Sequence, residues 1–453
     1  MKSRGILTAG ILLYLFALGM MFLPSMLRLN HTSVEVSVSN GRMSTGTLWE
    51  AGTPHAVMLI GHGVTSNRGI MALLAKSFAL SGYATLAFDF WGHGESRERF
   101  DWNANPEQLQ AWVAWARKTY PNLPVAYLGH SMGGFAGAEA FNENPSVDAF
   151  VSLGALPRSV PTCKTAVAAG NFEELFTIEE AKEQVAGKAD VISSPYSNHA
   201  SETADPVLII RIIDWVNGAL SIQKPTVVFP QGMWVFNLWA VIVGCAAALV
   251  LASTLTTAVS KNAIETSPVS TTRTWSVNPY RVAAVLLRTR GVSSPPRSGS
   301  LISALLRGIL FGTICALLLT LLLNVHIFTI SITHPGRLLT WLILTPLFTV
   351  FASLDLWVLE RVPLKTVQTR FAVAALTRAT PLLVLTLLLR LTLPGLNFLG
   401  MMLAIFAFIL VMLALVHALA TRAASDWRAG AMASAVLFAW VIAFWFPLYW
   451  PWV

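Results

Sequence analysis

The chain has 453 residues, of which 55% are hydrophobic and only 12% are charged. Soluble proteins average about 45–50% apolar and about 25% charged residues, so a chain made only of ordinary soluble domains is excluded. An intrinsically disordered chain is also excluded, since it would need low hydrophobicity and high charge. The three cysteines are too few and too far apart for a disulfide scaffold or a metal-ligand motif.

The net charge of +8 is distributed unevenly along the chain. Residues 1–27 carry a net charge of +2, residues 28–232 carry −5, and residues 233–453 carry +11. An acidic middle segment is therefore flanked by two basic, apolar segments. Because positive charge in membrane proteins concentrates in cytoplasmic loops, the excess predicts a membrane topology. It gives no reason to expect nucleic acid as a partner.

The N-terminal segment contains Lys2 and Arg4, and then no charge from Gly5 to Leu27. A bilayer span needs about 20 apolar residues, whereas a cleaved signal peptide has an apolar core of about 7–15 residues followed by small residues. Large residues stand at positions 20–22, where a cleavage site would need small ones. We therefore predict an uncleaved transmembrane anchor over residues 1–27, with a signal peptide as the alternative.

Six apolar runs after residue 232 predict six more membrane spans, which makes seven in all. These runs are residues 233–256, 308–330, 338–358, 371–393, 395–418 and 429–449. The run 371–393 is the weakest because Arg378 and Arg390 lie inside it, and a charge at the centre of a span costs about 2.5–3.5 kcal/mol on insertion scales. The last five spans form a predicted membrane domain over residues 303–453.

Lysine and arginine cluster in the loops on one side of these spans. Loops 257–302, 359–379 and 419–428 together contain 12 of them, and the loop 257–302 is also rich in Ser, Thr and Pro, which is typical of a flexible linker. The positive-inside rule places these loops and the N-terminus in the cytoplasm. It places residues 28–232 outside the cytoplasm, in a multi-pass protein of the cell membrane.

Apolar runs and turn residues alternate along residues 28–232. In chain order they predict a strand-like stretch over 32–60, with alternation at 34–38 and a buried run at 56–60. A helix over 68–80, a strand over 84–90, a helix over 106–120, a strand over 125–128 and a helix ending near 144 follow. The last predicted elements are strands over 147–153, 165–169 and 190–193 and a helix over 206–219. This alternation predicts an α/β domain, in which a mostly parallel sheet is covered by helices on both faces.

The sequence Gly129-x-Ser131-x-Gly133 stands between a predicted strand and a predicted helix. This is the context that a nucleophile elbow requires, because the sharp turn exposes the serine hydroxyl and needs small neighbours. The N-terminus of the following helix offers N–H groups to a developing oxyanion. The pattern alone is weak, but its position after a strand favours a catalytic serine.

Three motifs of this segment occur in the order found in α/β-hydrolases. They are His62-Gly63, Gly92-His93-Gly94-Glu95-Ser96 and Gly129-His130-Ser131-Met132-Gly133-Gly134. Over about residues 32–222 the chain resembles the serine hydrolases of that superfamily, especially the monoglyceride-lipase and dienelactone-hydrolase-like branches. The resemblance implies that Ser131 is the nucleophile and that the N–H groups of Val64 and Met132 form an oxyanion hole. It implies supporting roles for His62, Gly63, Gly129, His130 and Gly133.

The family order of nucleophile, acid and histidine implies the remaining residues of the triad. His199 is the single histidine of the middle segment after Ser131, and it follows the last predicted strand, where the family places its base. The acid should follow the preceding strand, which favours Glu173 and leaves its neighbour Glu174 as the alternative. Asp190 and Asp148 are minor candidates.

The other polar candidates favour structural roles. His62, His93 and His130 flank glycines and are expected to hold turns, and Asp89 is expected to organise the loop 91–96. No two histidines stand four residues apart, so neither a metal nor a cofactor is expected. Only about ten residues separate the strands ending at 153 and beginning at 165, which leaves no room for a sizeable lid.

Together these features predict a membrane-anchored serine hydrolase that acts on an ester or related acyl bond through a Ser-His-Glu triad and an acyl-enzyme. A small-molecule or lipid-like acyl substrate and the lipid bilayer are the expected partners. Two alternatives stay open: a non-catalytic membrane sensor or transporter that uses the hydrolase fold for binding, and an acyltransferase.

Overall fold

A computed structural model describes residues 2–20, 29–143, 145–223, 226–265, 300–359 and 367–447. Most of the predicted linker 257–302 and the end of the predicted N-terminal anchor lie outside the described residues. The chain divides into two compact units. One unit comprises Met1–Phe16, Ile242–Leu321 and Leu339–Ile442, and the other comprises Ala17–Val241, Leu322–Leu338 and Ala443–Val453.

The second unit is built on an eight-stranded sheet with the strand order β1-β2-β4-β3-β5-β6-β7-β8. The strands are β1 Asn30–Ser37, β2 Met43–Glu50, β3 Ala56–Gly61, β4 Tyr83–Phe88, β5 Val125–His130, β6 Ala149–Leu153, β7 Lys164–Gly170 and β8 Asp190–Ser194. Strands β1 and β2 run antiparallel to their neighbours, and β3 to β8 are parallel. The C-terminal ends of the parallel strands therefore meet at one edge of the sheet.

Helices cover both faces of this sheet. After the N-terminal helix α1 (Lys2–Gly19), they are α2 Ala72–Leu80, α3 Asn105–Thr119, α4 Met132–Ala140, α5 Ile178–Gln184 and α6 Pro206–Ala219. Alternate residues of one strand enter different cores: Met58 of β3 packs with α2 and α6, and Leu59 packs with α3 and α4. This alternation follows from the two-residue period of a strand, and it produces the three layers that the sequence predicted.

Helix α2 begins four residues later than the pattern predicted. Residues 63–71 form successive turns instead, in which Ser66 N–H donates to the Gly63 carbonyl and Ile70 N–H donates to the Asn67 carbonyl. The Asn67 side chain also accepts a hydrogen bond from the Gly69 N–H, at 2.9 Å. This local bond competes with the helix for a backbone donor, as asparagine side chains commonly do.

Within the described residues, six helices are long and apolar enough to cross a membrane, and they overlap the six predicted C-terminal spans. They belong to α7 Gln231–Glu265, α8 Leu301–His326, α9 Pro335–Leu359, α10 Val367–Thr392, α11 Asn397–Ala424 and α12 Trp427–Trp445. The predicted N-terminal span corresponds to a shorter apolar helix over Gly5–Gly19. The seven predicted spans therefore agree with the helices in number, although the described part of the first is shorter than a full span.

Candidate active site

Ser131 occupies a sharp turn between β5 and α4. Its φ of 51° lies in the left-handed region, which costs a residue other than glycine about 1–3 kcal/mol. The turn also requires close contact between its two glycines, because a Cβ on Gly129 would lie 2.2 Å from the Gly133 carbonyl. These features are the geometry of a nucleophile elbow.

His199 connects Ser131 to a carboxylate. Its Nε2 lies 3.0 Å from Ser131 Oγ, and its Nδ1 lies 3.0 Å from both carboxylate oxygens of Glu173. An ionised Glu173 accepts from Nδ1–H, so Nε2 is left to accept the serine proton. The Glu173 side chain is only 1% exposed, and its Oε1 also accepts the backbone N–H groups of Glu174 and Leu175. The chain Ser131–His199–Glu173 is therefore continuous.

Glu174 contacts the same loop in a different way. Its carboxylate accepts the His199 backbone N–H and an N–H of the Asn198 side chain, each at 3.0 Å. Burial raises the pKa of Glu174, and these two hydrogen bonds oppose the rise. Glu174 thus holds the backbone of the histidine loop, whereas Glu173 contacts the ring.

The two minor acid candidates lie away from His199. Asp148 pairs with Arg117 and accepts the N–H of Val125, the first residue of β5, so it lies at the opposite end of that strand from Ser131. Asp190 begins β8 and accepts the indole N–H of Trp215.

The two predicted oxyanion donors flank the serine. Met132 is the first residue of α4, so its backbone N–H has no acceptor within the helix. The loop of His62, Gly63 and Val64 follows β3 and packs against the elbow, because a Cβ on Gly63 would lie 3.1 Å from the Ser131 Cβ. The Gly133 N–H donates to the His62 carbonyl and joins the two loops.

Three buried histidines hold the loops around Ser131. His62 Nε2 accepts the Phe90 N–H at 3.0 Å, and His62 Nδ1 lies 2.8 Å from the Gly63 carbonyl. His93 Nδ1 lies 3.0 Å from the Trp91 carbonyl. His130 Nε2 lies 3.1 Å from the His199 carbonyl, and burial lowers the pKa of His130 to about 3. A neutral His130 can therefore donate to that carbonyl and position the His199 loop.

Glu202 is a further site residue that the sequence reasoning missed. It is fully buried, and its Oε1 accepts the Gly170 N–H at 2.7 Å. Burial and then the nearby charge of Glu173 raise the pKa of Glu202 well above its ordinary value. This rise in pKa favours the neutral form of the Glu202 carboxyl. Its position three residues after His199 was the only sequence signal for it.

Among the residues that the structure describes, His130, His199 and Glu202 could offer three ligand atoms to a metal, since these atoms lie within 4.8 Å of one another. His199 already contacts Ser131 and Glu173 through its two ring nitrogens. A metal at this place would therefore have to displace the hydrogen bonds that link the serine to the carboxylate.

The similarity to a known protein family lies in the same segment of the chain. Residues 52–202 match the family described as "Serine aminopeptidase, S33", a family of hydrolases. The segment has the α/β-hydrolase fold. The predicted fold class and resemblance are thus confirmed, and we refer below to the sheet and the helices α2 to α6 as the hydrolase domain.

The chain is also similar to individual lipases over part of the hydrolase domain. It is 35% identical to a monoglyceride lipase of Rattus norvegicus over 100 residues, which are 21% of this chain and 33% of the relative. It is 33% identical to a phospholipase of Bacillus subtilis over 107 residues, which are 23% of this chain and 41% of the relative. The chain therefore matches less than half the length of these relatives.

Solved structures with a similar fold include an esterase of Pyrococcus furiosus, with 19% identity and a TM-score of 0.37. The structural match covers 94% of the esterase and 44% of this chain. A dienelactone hydrolase of Anabaena variabilis has 24% identity and a TM-score of 0.36, with 43% of this chain and 98% of that chain covered.

Proposed function

We propose that the chain is a membrane-bound serine hydrolase that cleaves an ester or related acyl bond. The observation that carries this proposal is the hydrogen-bonded chain from Ser131 Oγ through His199 to Glu173, with each contact at 3.0 Å, on a nucleophile elbow. An enzyme needs the strained backbone of the elbow to expose its nucleophile, whereas a binding module does not need it.

In the proposed reaction, His199 Nε2 takes the proton of Ser131 as Oγ attacks the acyl carbonyl. The N–H groups of Met132 and Val64 stabilise the oxyanion, and Glu173 stabilises the imidazolium. His199 then gives its proton to the leaving alcohol, which leaves an acyl-enzyme on Ser131. A water molecule, deprotonated by His199, attacks the acyl-enzyme carbonyl. The bond from the acyl carbon to Ser131 Oγ then breaks, His199 returns the proton to Oγ, and the carboxylic acid is released.

We propose a lipid-like substrate. Three apolar side chains stand exposed on the loops that carry Glu173 and His199, namely Phe172, Leu175 and Tyr196, which are 52%, 44% and 74% exposed. The connection between β6 and β7 comprises only residues 154–163, so it provides no sizeable lid over the site. An open site with an apolar rim suits an amphiphile, and the similar proteins include a monoglyceride lipase and a phospholipase.

The test is labelling of the full chain in native membranes with a fluorophosphonate probe, which reacts with an activated serine. We expect labelling of the wild type and its loss in Ser131→Ala and His199→Ala. The exposed β1 residues Ser37 and His31 provide matched controls, and Ser37→Ala and His31→Ala should label normally. An unlabelled wild type would contradict the enzyme proposal and favour a binding role.

Product analysis separates hydrolysis from acyl transfer. With a monoacylglycerol as substrate in nanodiscs, we expect free fatty acid and glycerol as products. Transfer of the acyl group to an alcohol acceptor in preference to water would contradict the hydrolase proposal and favour an acyltransferase.

We also propose that the N-terminus is cytoplasmic and that the hydrolase domain lies outside the cytoplasm of a cell membrane. The charge of the loops supports this orientation. Reporter fusions near residue 100 and near residue 280 should report opposite sides of the membrane. Signals from the same side would refute the orientation.

A further inference from the structure

Residues 327–337, which we call the α8–α9 segment, belong to the same compact unit as the hydrolase domain. The segment contacts residues that follow the C-terminal end of β3. The Thr329 N–H donates to Asn67 Oδ1 at 3.1 Å, and a Cβ on Gly69 would lie 2.5 Å from the Ile327 carbonyl oxygen. The two backbones are thus in direct contact at Gly69, where a side chain would not fit.

The same segment holds the loop that follows β4. Arg337 is 1% exposed, and its Nη2 donates to the Gly92 carbonyl at 2.9 Å. His334 Nε2 lies 3.3 Å from the Arg97 carbonyl. The α8–α9 segment therefore fixes two neighbouring loops at the edge of the sheet where Ser131 lies.

The contacted residues continue into the predicted oxyanion loop. Asn67 and Gly69 follow Val64 within five residues, and the Ser66 N–H donates to the Gly63 carbonyl at 3.2 Å. Asp89 accepts the Arg68 N–H at 2.8 Å and the Glu95 N–H at 3.0 Å, and the Arg68 guanidinium pairs with both carboxylates. The turn that carries Val64 is therefore continuous with Asn67 and Gly69, and Asp89 joins it to the loop after β4.

We infer that the α8–α9 segment is a positioning element of the active site, which holds the loop of residues 62–69 so that the Val64 N–H points at the oxyanion. This inference rests on the proposed hydrolase function. It assigns a role in catalysis to a part of the chain that follows Ser131 by almost 200 residues. The Ser131–His199–Glu173 contacts lie on other loops, so they should survive when the segment is displaced.

The test uses Gly69→Ala in the full chain, purified in nanodiscs. Gly69 does not adopt left-handed backbone, so the added methyl group acts through its contact with Ile327 and Phe328. Removing one oxyanion donor typically costs about 10²–10³ in rate, and we expect a partial misplacement to lower kcat for a p-nitrophenyl ester by about 10- to 100-fold. KM should change less than twofold, because the donor acts in the transition state.

The control is Gly218→Ala in α6, where the added Cβ meets no atom within 4 Å beyond its chain neighbours and the backbone of its own helix, and its kcat should match the wild type. Complete fluorophosphonate labelling at long times reports that the variant is folded with an intact serine. A folded Gly69→Ala with kcat within twofold of the wild type, or with a loss confined to KM, would overturn the inference.

If Gly69→Ala does not fold, Asn67→Ala is measured in the same way, since it removes the acceptor that the Thr329 N–H shares with the Gly69 N–H. The same fall in kcat is expected, and an unchanged kcat would overturn the inference. The proposed function fails separately, because it requires labelling of the wild type and its loss in Ser131→Ala.

Discussion

Glu173→Gln should slow acylation far more than Glu174→Gln. The two residues are adjacent, yet Glu173 contacts the His199 ring and Glu174 contacts the His199 backbone. Glutamine has nearly the same size as glutamate, so each substitution removes a charge and changes packing little. The neighbouring pair therefore forms a matched comparison.

The magnitude follows from the charge that develops on His199. When the ring takes the Ser131 proton, it becomes a cation whose centre lies about 4 Å from that of the Glu173 carboxylate, and such a pair attracts by about 4 kcal/mol at an effective dielectric constant of about 20. Each factor of ten in rate corresponds to about 1.4 kcal/mol. Loss of the charge should therefore lower kcat about 10³-fold.

Glu174→Gln keeps one amide oxygen as an acceptor and leaves the ring contact unchanged. A single hydrogen bond contributes about 0.5–1.5 kcal/mol, so kcat should fall by less than about tenfold. The assay is ester hydrolysis by the purified full chain in nanodiscs, with thermal unfolding of each variant measured in parallel. Equal losses in two folded variants, or a larger loss for Glu174→Gln, would refute the assignment of Glu173 as the triad acid.

Three further outcomes are expected. Because the raised pKa of Glu202 keeps a proton in the folded state that the unfolded state releases above about pH 4.5, wild-type stability should decline as pH rises from there toward the folded pKa. Glu202→Gln should remove that decline in thermal melts and keep kcat within about threefold; a decline that persists in Glu202→Gln would contradict the raised pKa of Glu202. The pKa of about 3 for His130 means that wild-type stability falls as pH drops from 6.5 toward 3, and His130→Gln should flatten this acid limb of the melting curve. Gly129→Ala should reduce the rate of fluorophosphonate labelling at least about 100-fold, because its methyl group would displace the elbow; normal labelling would show that the elbow tolerates the shift.

Much of the secondary structure of the hydrolase domain followed from local patterns, although strand β2 (Met43–Glu50) and helix α5 (Ile178–Gln184) were not predicted. Helix α6 was predicted over 206–219 and spans Pro206–Ala219, because proline suits a first helical turn and the preceding Asp205 accepts the N–H groups of Val207 and Leu208. Strand β5 was predicted over 125–128 and extends to His130. The predicted start of α2 was four residues too early, because side-chain and loop contacts of Asn67 and Gly69 compete with the helix.

The sequence by itself determined the alternating strands and helices, the elbow at Ser131 and the positions of the apolar spans, because each depends on residues that are close together in the chain. Only the tertiary structure decided which of two adjacent glutamates lies against the His199 ring, that Glu202 is buried beside it, and that Thr329 reaches Asn67. These contacts join residues from separate loops. Their geometry depends on the order of the strands and on the path of the connections. Local hydrophobic periods and short motifs carry no information about that order or that path.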